Sequence, residues 1–283
     1  MGVGFRLSGR TLELTGPWSP TAGRAVRLLR PSGLDVDYTR GFDGDDLDFL
    51  GDLAGTTIRR LSVVDHELED LSPLLRLAPQ LEHLTVRTPS TQTLDLARFP
   101  RLVSYRGPWA HVRDTITWGT RVERLMLEGY AETDLAAFQD LPSLTAVRLD
   151  RPERLRLLRG VGSRLQRISV LHAPLLTDVG DVGTATGLRL LELIGSPSTR
   201  GLELVGGCTE LEELTLSGCG PIPSIEWVRD LRRLRRFELL GPTPVVDGDL
   251  TPLTELPALE QVTMQPRPHY RPTVAEVRAS LRR

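Results

Sequence analysis

The chain has 283 residues, 40% of them hydrophobic and 25% charged, which is typical of folded globular proteins and excludes a disordered chain. The formal net charge is −2 and the isoelectric point about 6.2, so bulk charge does not favour binding to nucleic acid or to a membrane surface. No apolar run is long enough for a membrane-spanning helix, and the first residues lack the apolar core of a signal peptide. The sequence therefore predicts a cytoplasmic protein that does not bind membranes.

Residues 1–57 differ in pattern from the rest of the chain. The segments Phe5–Leu7 and Leu12–Leu14 predict a hairpin, and the segment GLDVDY predicts a further strand. We interpret this region as an N-terminal cap with one divergent repeat around Leu34 and Val36, because the terminal members of a repeat array are atypical.

The acidic segment DVDYTRGFDGDD has a density of carboxylates similar to that of calcium loops. An EF-hand loop that starts at Asp35 would need Gly at its sixth position and Glu at its twelfth. Arg40 and Asp46 occupy those positions. We therefore expect a solvated acidic loop and no metal site.

One short apolar pattern recurs from residue 58 to about residue 265. In the copy with Leu211, Leu214 and Leu216 the gaps are three and then two residues, and polar Glu213 and Thr215 alternate with the leucines. The ten copies are 20 to 25 residues apart and begin at Ile58, Leu81, Leu102, Val122, Leu144, Leu165, Leu188, Leu211, Leu234 and Leu259. A repeat of this length predicts one short strand per copy, stabilised by stacking on its neighbours.

A second apolar series lies between many of these strands. Leu71, Leu74 and Leu77 precede Pro79, and similar series precede Pro100, Pro142 and Pro257. Spacing by threes favours a short 3₁₀ or one-to-two-turn helix, which the proline ends.

These two patterns together resemble the leucine-rich repeat superfamily, in its short bacterial type of about 22 residues with one cysteine-containing repeat at Cys219. The resemblance implies an α/β fold, namely a curved right-handed solenoid with a parallel sheet on its concave face and short helices on its convex face. The superfamily usually places Asn or Cys after each strand, whereas this chain has no Asn, so we expect the neighbouring backbone groups to bond each other or water. We expect the repeat from Leu102 to Trp118 to be the weakest.

Residues 266–283 predict a C-terminal cap. Thr273 and Glu276 form a capping box ahead of Val274, Val277 and Leu281, which favours a short amphipathic helix. The domain prediction is therefore a cap over 1–57, about ten repeats over 58–265 and a cap helix over 266–283.

No residue set predicts catalysis. Cys208 and Cys219 flank one strand too far apart to bridge, so we interpret both as reduced, buried packing residues. The chain has no lysine, which excludes a Walker-type phosphate loop and Schiff-base chemistry. The histidines fall in different repeats and are expected mostly at the surface; they are His66, His83, His111, His172 and His269. We predict neither enzyme activity nor a cofactor or metal.

The residues that alternate with the buried ones predict the binding face, since they all point from the concave side of the sheet. On this face arginines, Arg60 among them, dominate the first six repeats, which also carry His83. Glutamates are frequent in the later repeats. Our candidate partner-binding residues are Arg106, Trp109, Arg124, Tyr130, Arg148, Arg167, Glu192, Glu213 and Glu238. For Trp109 the alternative is packing within its irregular repeat. Trp118 and Trp227 are expected to pack on the convex side, and Trp18 in the N-terminal cap.

Three functional hypotheses follow. The first is a protein-binding module whose concave face docks a partner with an acidic patch, with no chemistry of its own and no small-molecule substrate. The second, which the resemblance permits, is an inhibitor or immunity-type protein that masks a partner enzyme or toxin. The third is nucleic-acid binding through the arginine stripe, against which the net charge and the later glutamates count.

Overall fold

The computed structural model describes residues 4–116, 121–162 and 164–281. The chain divides into an N-terminal unit, Met1–Leu127 with Leu141–Ser143, and a C-terminal unit, Glu128–Asp140 with Leu144–Arg283. The packing expected of Trp118 lies outside the described residues, and the predicted domain boundaries stay a prediction. No helix in the described ranges is long and apolar enough to cross a membrane.

The N-terminal unit begins with an antiparallel hairpin, in which Phe5 pairs with Leu14, and continues with parallel strands in chain order. Its strands are β1 (Phe5–Ser8), β2 (Thr11–Leu14), β3 (Gly33–Asp37), β4 (Arg60–Val64), β5 (His83–Arg87), β6 (Ser104–Pro108) and β7 (Arg124–Glu128), the last residue of which belongs to the C-terminal unit. The predicted hairpin and the strand after it are confirmed. Short 3₁₀ segments follow the strands at Tyr38–Arg40, Asp48–Leu53, Ser72–Arg76, Leu96–Arg98 and Trp109–His111.

One helix of this unit was not predicted: α1 (Pro20–Leu29) lies between β2 and β3. The hydroxyl of Ser19 accepts a hydrogen bond from the backbone N–H of Ala22 at 3.2 Å, and Pro20 occupies the first helical position. Serine at the N-cap followed by proline is a recognised start signal. The helix buries only Ala22, Ala25 and Val26, so its apolar face is too small to stand out in the sequence.

The C-terminal unit is a parallel ladder in chain order, in which Leu191, Leu214 and Phe237 are aligned across three strands. Its strands are β8 (Ala146–Asp150), β9 (Arg167–Leu171), β10 (Leu190–Ile194), β11 (Glu213–Ser217), β12 (Arg236–Leu240) and β13 (Gln261–Met264). A 3₁₀ segment at Ala136–Phe138 precedes β8, and between the strands lie 3₁₀ segments at Gly180–Thr184, Leu202–Gly207 and Glu226–Asp230 and the short helix α2 (Thr251–Thr254). The predicted short helices are thus confirmed.

The chain closes with α3 (Val274–Ser280), as predicted. The N–H of Thr273 donates to the Glu276 carboxylate at 2.8 Å, and the Thr273 hydroxyl accepts from the Glu276 N–H at 3.3 Å. The Thr273 hydroxyl also donates to the Glu276 carboxylate at 2.8 Å, and the two bonds to the carboxylate, from the N–H and the hydroxyl of Thr273, lower the pKa of Glu276 because they favour its charged form.

The buried residues confirm the predicted phase of the repeat. Leu211, Leu214 and Leu216 are fully buried, whereas Glu213 and Thr215 between them are half-buried. The first strand leucine or its equivalent is buried in every repeat, including Tyr105 in the irregular one. Burial of one leucine side chain contributes about 1.5–3 kcal/mol, so the stacked rows form the main source of stability.

Backbone groups bond each other in place of an asparagine ladder, as expected. After the strands, the N–H of Gly195 donates to the Ser217 carbonyl at 2.7 Å, and the N–H of Gly218 donates to the Leu240 carbonyl at 3.1 Å, so each turn is joined to the next repeat. Cys219 adds a side-chain contact, since its buried thiol lies 3.3 Å from the Leu193 carbonyl. Both cysteines are free and buried, and burial raises the pKa of each thiol to about 11, so neither is a reactive thiolate at neutral pH.

The turn after each strand differs between the units. The residue that follows each strand from β7 to β12 lies in the C-terminal unit and is left-handed, with φ values of 65°, 50°, 56°, 67°, 62° and 62° at Gly129, Arg151, His172, Gly195, Gly218 and Gly241. At the equivalent positions of the N-terminal unit, Asp65 and Thr88 keep a negative φ. Left-handed backbone suits glycine and costs other residues roughly 1–2 kcal/mol, so Arg151 and His172 are strained.

Two aromatic predictions are settled by the packing. Trp18 stacks on Phe49 with ring centroids 4.6 Å apart, within the N-terminal cap as expected. Trp227 is half-buried on the helix side of its repeat, where its indole N–H donates to the Ser224 carbonyl at 3.0 Å, which agrees with the prediction.

One histidine departs from the expected surface positions. His111 is fully buried; its Nε2 lies 2.8 Å from the Ser90 carbonyl, and its Nδ1 lies 3.4 Å from the Tyr105 hydroxyl. Burial lowers the pKa of His111, and the bond to the Ser90 carbonyl opposes that shift only in part.

Candidate functional site

We call the solvent side of the parallel strands the open sheet face of each unit. On the N-terminal unit, Arg60, His83 and Ser104 are aligned in the first position of β4, β5 and β6. They alternate with the buried Leu61, Leu84 and Tyr105, so their side chains point to solvent. The second position of the same strands holds Ser62, Thr85 and Arg106.

The first position continues into β7 with Arg124. Its N–H donates to the Val103 carbonyl at 3.1 Å. The same backbone bond, from the first residue of one strand to the carbonyl just before the preceding strand, joins β4 to β5 and β5 to β6. We call Arg60, His83, Ser104 and Arg124 the basic strip. Adjacent strands lie about 4.8 Å apart, so the strip is roughly 15 Å long.

The charge of the basic strip is largely uncompensated. Across the part of the chain that the structure describes, Arg60 has no ion pair, and Arg124 approaches only Glu123, at 3.9 Å. Burial, Arg60 and Arg124 together lower the pKa of His83, and Glu82 opposes them only in part. Burial is the largest cause of this shift, and the two arginines add to it.

Arg106 extends the positive surface in the second position. It is exposed, and the described residues offer it no carboxylate partner. In β7 the second position is Met126, of which 36% is exposed. This face therefore offers two guanidiniums, of Arg60 and Arg106, that have no ion pair with any residue the structure describes, and an accessible apolar side chain.

The same sheet face becomes acidic toward the N-terminal cap. Arg40 lies 2.9 Å from Glu13 and 2.6 Å from Asp35, and Arg6 also pairs with Glu13. Burial raises the pKa of Asp35, and Arg40 offsets part of that effect. No group of three or more His, Cys, Asp or Glu suited to a metal ion occurs in the described ranges.

On the open sheet face of the C-terminal unit the charges are mostly paired. Arg148 reaches across β9 to Glu192 at 3.5 Å, and Arg236 pairs with Glu213 at 2.7 Å. Glu238 lies 3.5 Å from the Thr215 hydroxyl. Half-buried Leu190, Ile194 and Leu240 lie among these groups.

Seven of the nine candidate residues lie on these open faces. Arg106 and Arg124 belong to the N-terminal unit, and the C-terminal unit carries Arg148, Arg167, Glu192, Glu213 and Glu238. Their role in binding stays a prediction.

The other two candidates are corrected by their burial. Trp109 is 3% exposed and Tyr130 is 0% exposed, so neither ring can contact a partner, and the alternative of packing holds for Trp109. Tyr130 stacks on Phe138 at 5.2 Å, and its hydroxyl donates to the Asp134 carbonyl at 2.7 Å. Burial raises the pKa of Tyr130 above its ordinary value. Trp109 directly follows β6, and Tyr130 lies two residues after the end of β7. At both positions the chain turns back over the core.

Arg60 and His83 were not among the candidates, although the alternation places them on the same face. The signal that could have found them is the recurrence of basic residues in the first strand position, at Arg60, His83 and Arg124.

Two solved structures share the architecture of the chain. An internalin of Listeria monocytogenes is 17% identical, with a TM-score of 0.60 over 90% of this chain and 75% of that protein. A leucine-rich repeat protein of Leptospira interrogans is 15% identical, with a TM-score of 0.53 over 88% of this chain and 58% of that protein. No protein-family model and no curated protein matches the sequence. The likeness establishes the fold: the chain has the leucine-rich repeat fold, and the predicted fold class is confirmed.

Proposed function

We propose that the chain is a non-enzymatic protein-binding module whose N-terminal unit docks an acidic surface of a protein partner. The observation that carries the proposal is the basic strip with its neighbour Arg106, where Arg60 and Arg106 lack ion pairs among the described residues. The arginines of the C-terminal face, by contrast, include two that already pair with Glu192 and Glu213.

Electrostatics favours an acidic partner at the basic strip. Two like charges in water repel by about 1 kcal/mol at 4 Å, and by less when they are further apart and screened by salt. The strip is therefore tolerated while solvated, and a carboxylate-bearing partner removes the repulsion. Guanidinium groups also bind carboxylates in bidentate fashion, which orients the partner.

The partner should also present an apolar residue. Met126 is accessible beside the arginines, and flexible thioether side chains adapt well to binding surfaces. An interface with apolar contacts at its centre and charge pairs at its rim is the common arrangement in protein complexes.

The experiment is affinity capture from the native host, followed by binding measurements on the captured protein. Arg60→Glu with Arg106→Glu should weaken binding of that protein at least tenfold. The matched control, Arg98→Glu with Arg101→Glu, reverses two exposed arginines on the helix side of the same unit and should bind like the wild type. Equal binding by the sheet-face variant, or loss in the control alone, would contradict the proposal.

A further inference from the structure

We propose that binding of carboxylates to the basic strip is coupled to proton uptake by His83, so that the strip binds an acidic protein segment more tightly as pH falls. This inference rests on the proposed function and adds a regulation to it.

The position of His83 makes the coupling possible. It lies one strand from Arg60 and one strand from Ser104, which places its imidazole near the middle of the strip. The side chain is half-buried, so a ligand can reach it while part of its surface is shielded from water. A carboxylate held by either arginine would lie within about one or two strand spacings of the ring, roughly 5–10 Å.

The charges around His83 oppose its protonation in the free chain. Arg60 on β4 and Arg124 on β7 disfavour the imidazolium, and Glu82 favours it. The facing residues of β6 are Ser104, which is uncharged, and Arg106, which adds further positive charge. Together with burial, these groups lower the pKa of His83 below 6.5, so the ring is mainly neutral at pH 7.

A bound carboxylate reverses this balance. The negative charge favours the imidazolium, which raises the pKa of His83 in the complex above its value in the free chain. The complex then holds more protons than the separate partners between these two values, so binding tightens as pH falls through that window. Each unit by which the pKa rises allows up to tenfold tighter binding. Glutamate side chains, with an unperturbed pKa of about 4.3, stay ionised throughout.

The test is an NMR titration of the full chain with poly-L-glutamate as the probe, at constant salt. We expect the His83 imidazole to titrate below 6.5 in the free chain and at higher pH with polyglutamate. Binding should tighten about three- to tenfold from pH 8 to pH 6. His66 lies just past the C-terminal end of β4, outside the basic strip, so its resonances serve as the internal control.

Two variants separate the proton from other pH effects. His83→Gln should bind polyglutamate with little change over the same pH range. Arg60→Gln should raise the pH at which His83 titrates in the free chain, because it removes one opposing charge; this readout holds even if His83→Gln folds poorly.

The outcomes distinguish the two proposals. Polyglutamate that binds without moving the His83 titration, or that keeps its pH dependence in His83→Gln, would overturn the coupling and leave the proposed function intact. A failure of polyglutamate to bind at pH 6 would also overturn the coupling. The proposed function itself falls only if the captured partner ignores the sheet-face charge reversal.

Discussion

Both units are built from the same repeat, but they differ in the backbone conformation after the strands and in the pairing of charges on the open sheet face. The residue after each strand from β7 to β12 lies in the C-terminal unit and is left-handed, and four of these six are glycine, as at Gly195 and Gly218. In the N-terminal unit the equivalent Asp65 and Thr88 are not, and the third repeat turns into a 3₁₀ segment at Trp109 instead. A left-handed residue changes the direction of the chain within one residue. The turns after β7 to β12 therefore share one backbone conformation, whereas the turns of the N-terminal unit differ from one another.

The distribution of charges on the open sheet face also differs between the two units. Two arginines of the C-terminal face pair with glutamates, Arg148 with Glu192 and Arg236 with Glu213, whereas Arg167 has no ion pair among the described residues. On the N-terminal face, among the described residues, the one ion pair of the strip's arginines is that of Arg124 with Glu123, at the limit of ion-pair distance. Surface ion pairs contribute about 0–1 kcal/mol each, so the difference matters less for stability than for which surface attracts a charged partner.

The largest expected effect tests whether the regular C-terminal repeats hold the core as described. Leu214→Ala should lower the free energy of unfolding by about 2–5 kcal/mol, because Leu214 is fully buried between neighbouring repeats. Glu213→Ala, on the open face, should cost no more than about 0.5 kcal/mol beyond its ion pair. Chemical denaturation of both variants measures the difference, and equal losses would mean that the strand phase is wrong.

A smaller effect should be confined to the N-terminal unit, which contains the buried His111. The folded chain disfavours its protonation while the unfolded chain does not, so stability should fall as pH drops below about 6.5 and continue to fall down to the lowered pKa of His111. Each pKa unit corresponds to about 1.4 kcal/mol. Urea unfolding at several pH values measures this loss.

His111→Gln is the control for that prediction, because its amide can still donate to the Ser90 carbonyl. The variant should be less stable at pH 7.5 but lose less stability than the wild type on acidification. Identical pH profiles for the two proteins would show that His111 is not the group responsible.

The smallest effect concerns the strained turns of the C-terminal unit. His172→Gly should stabilise the chain by up to about 1 kcal/mol, since glycine accepts a φ of 56° without the steric cost that histidine bears. Thr88→Gly, at the equivalent position of the N-terminal unit, should instead destabilise by about 0.5–1 kcal/mol, because φ is negative there. Thermal denaturation compares the two; the same sign for both would remove the distinction between the turns.

The repeat was predictable because its information is periodic. Every strand needs an apolar residue at fixed spacing, and ten copies in phase identify the strands even where one copy carries Tyr105 in place of leucine. The capping box of α3 was predictable from Thr273 and Glu276 for a similar reason, since it is local. By contrast, α1 was missed because its buried face consists of two alanines and one valine.

The functional surface was only partly predictable. Alternation along a strand places Arg106 and Arg124 correctly, but it says nothing of residues beyond the strand end, where the turn decides whether Trp109 and Tyr130 face water or the core. The pairing of charges is equally hard to predict from the sequence. Arg148 and Glu192 lie two strands apart in the sheet and 44 residues apart in the chain. A sequence pattern gives the face of a side chain and not its partner.

The central claim is that the uncompensated arginines of the N-terminal open face bind an acidic protein surface. The most direct measurement is the dissociation constant of the captured partner for the wild type and for Arg60→Glu with Arg106→Glu, with circular dichroism to confirm that the variant is folded. We predict at least a tenfold loss of affinity, about 1.4 kcal/mol, with unchanged stability. An affinity equal to that of the wild type in the folded variant would contradict the claim.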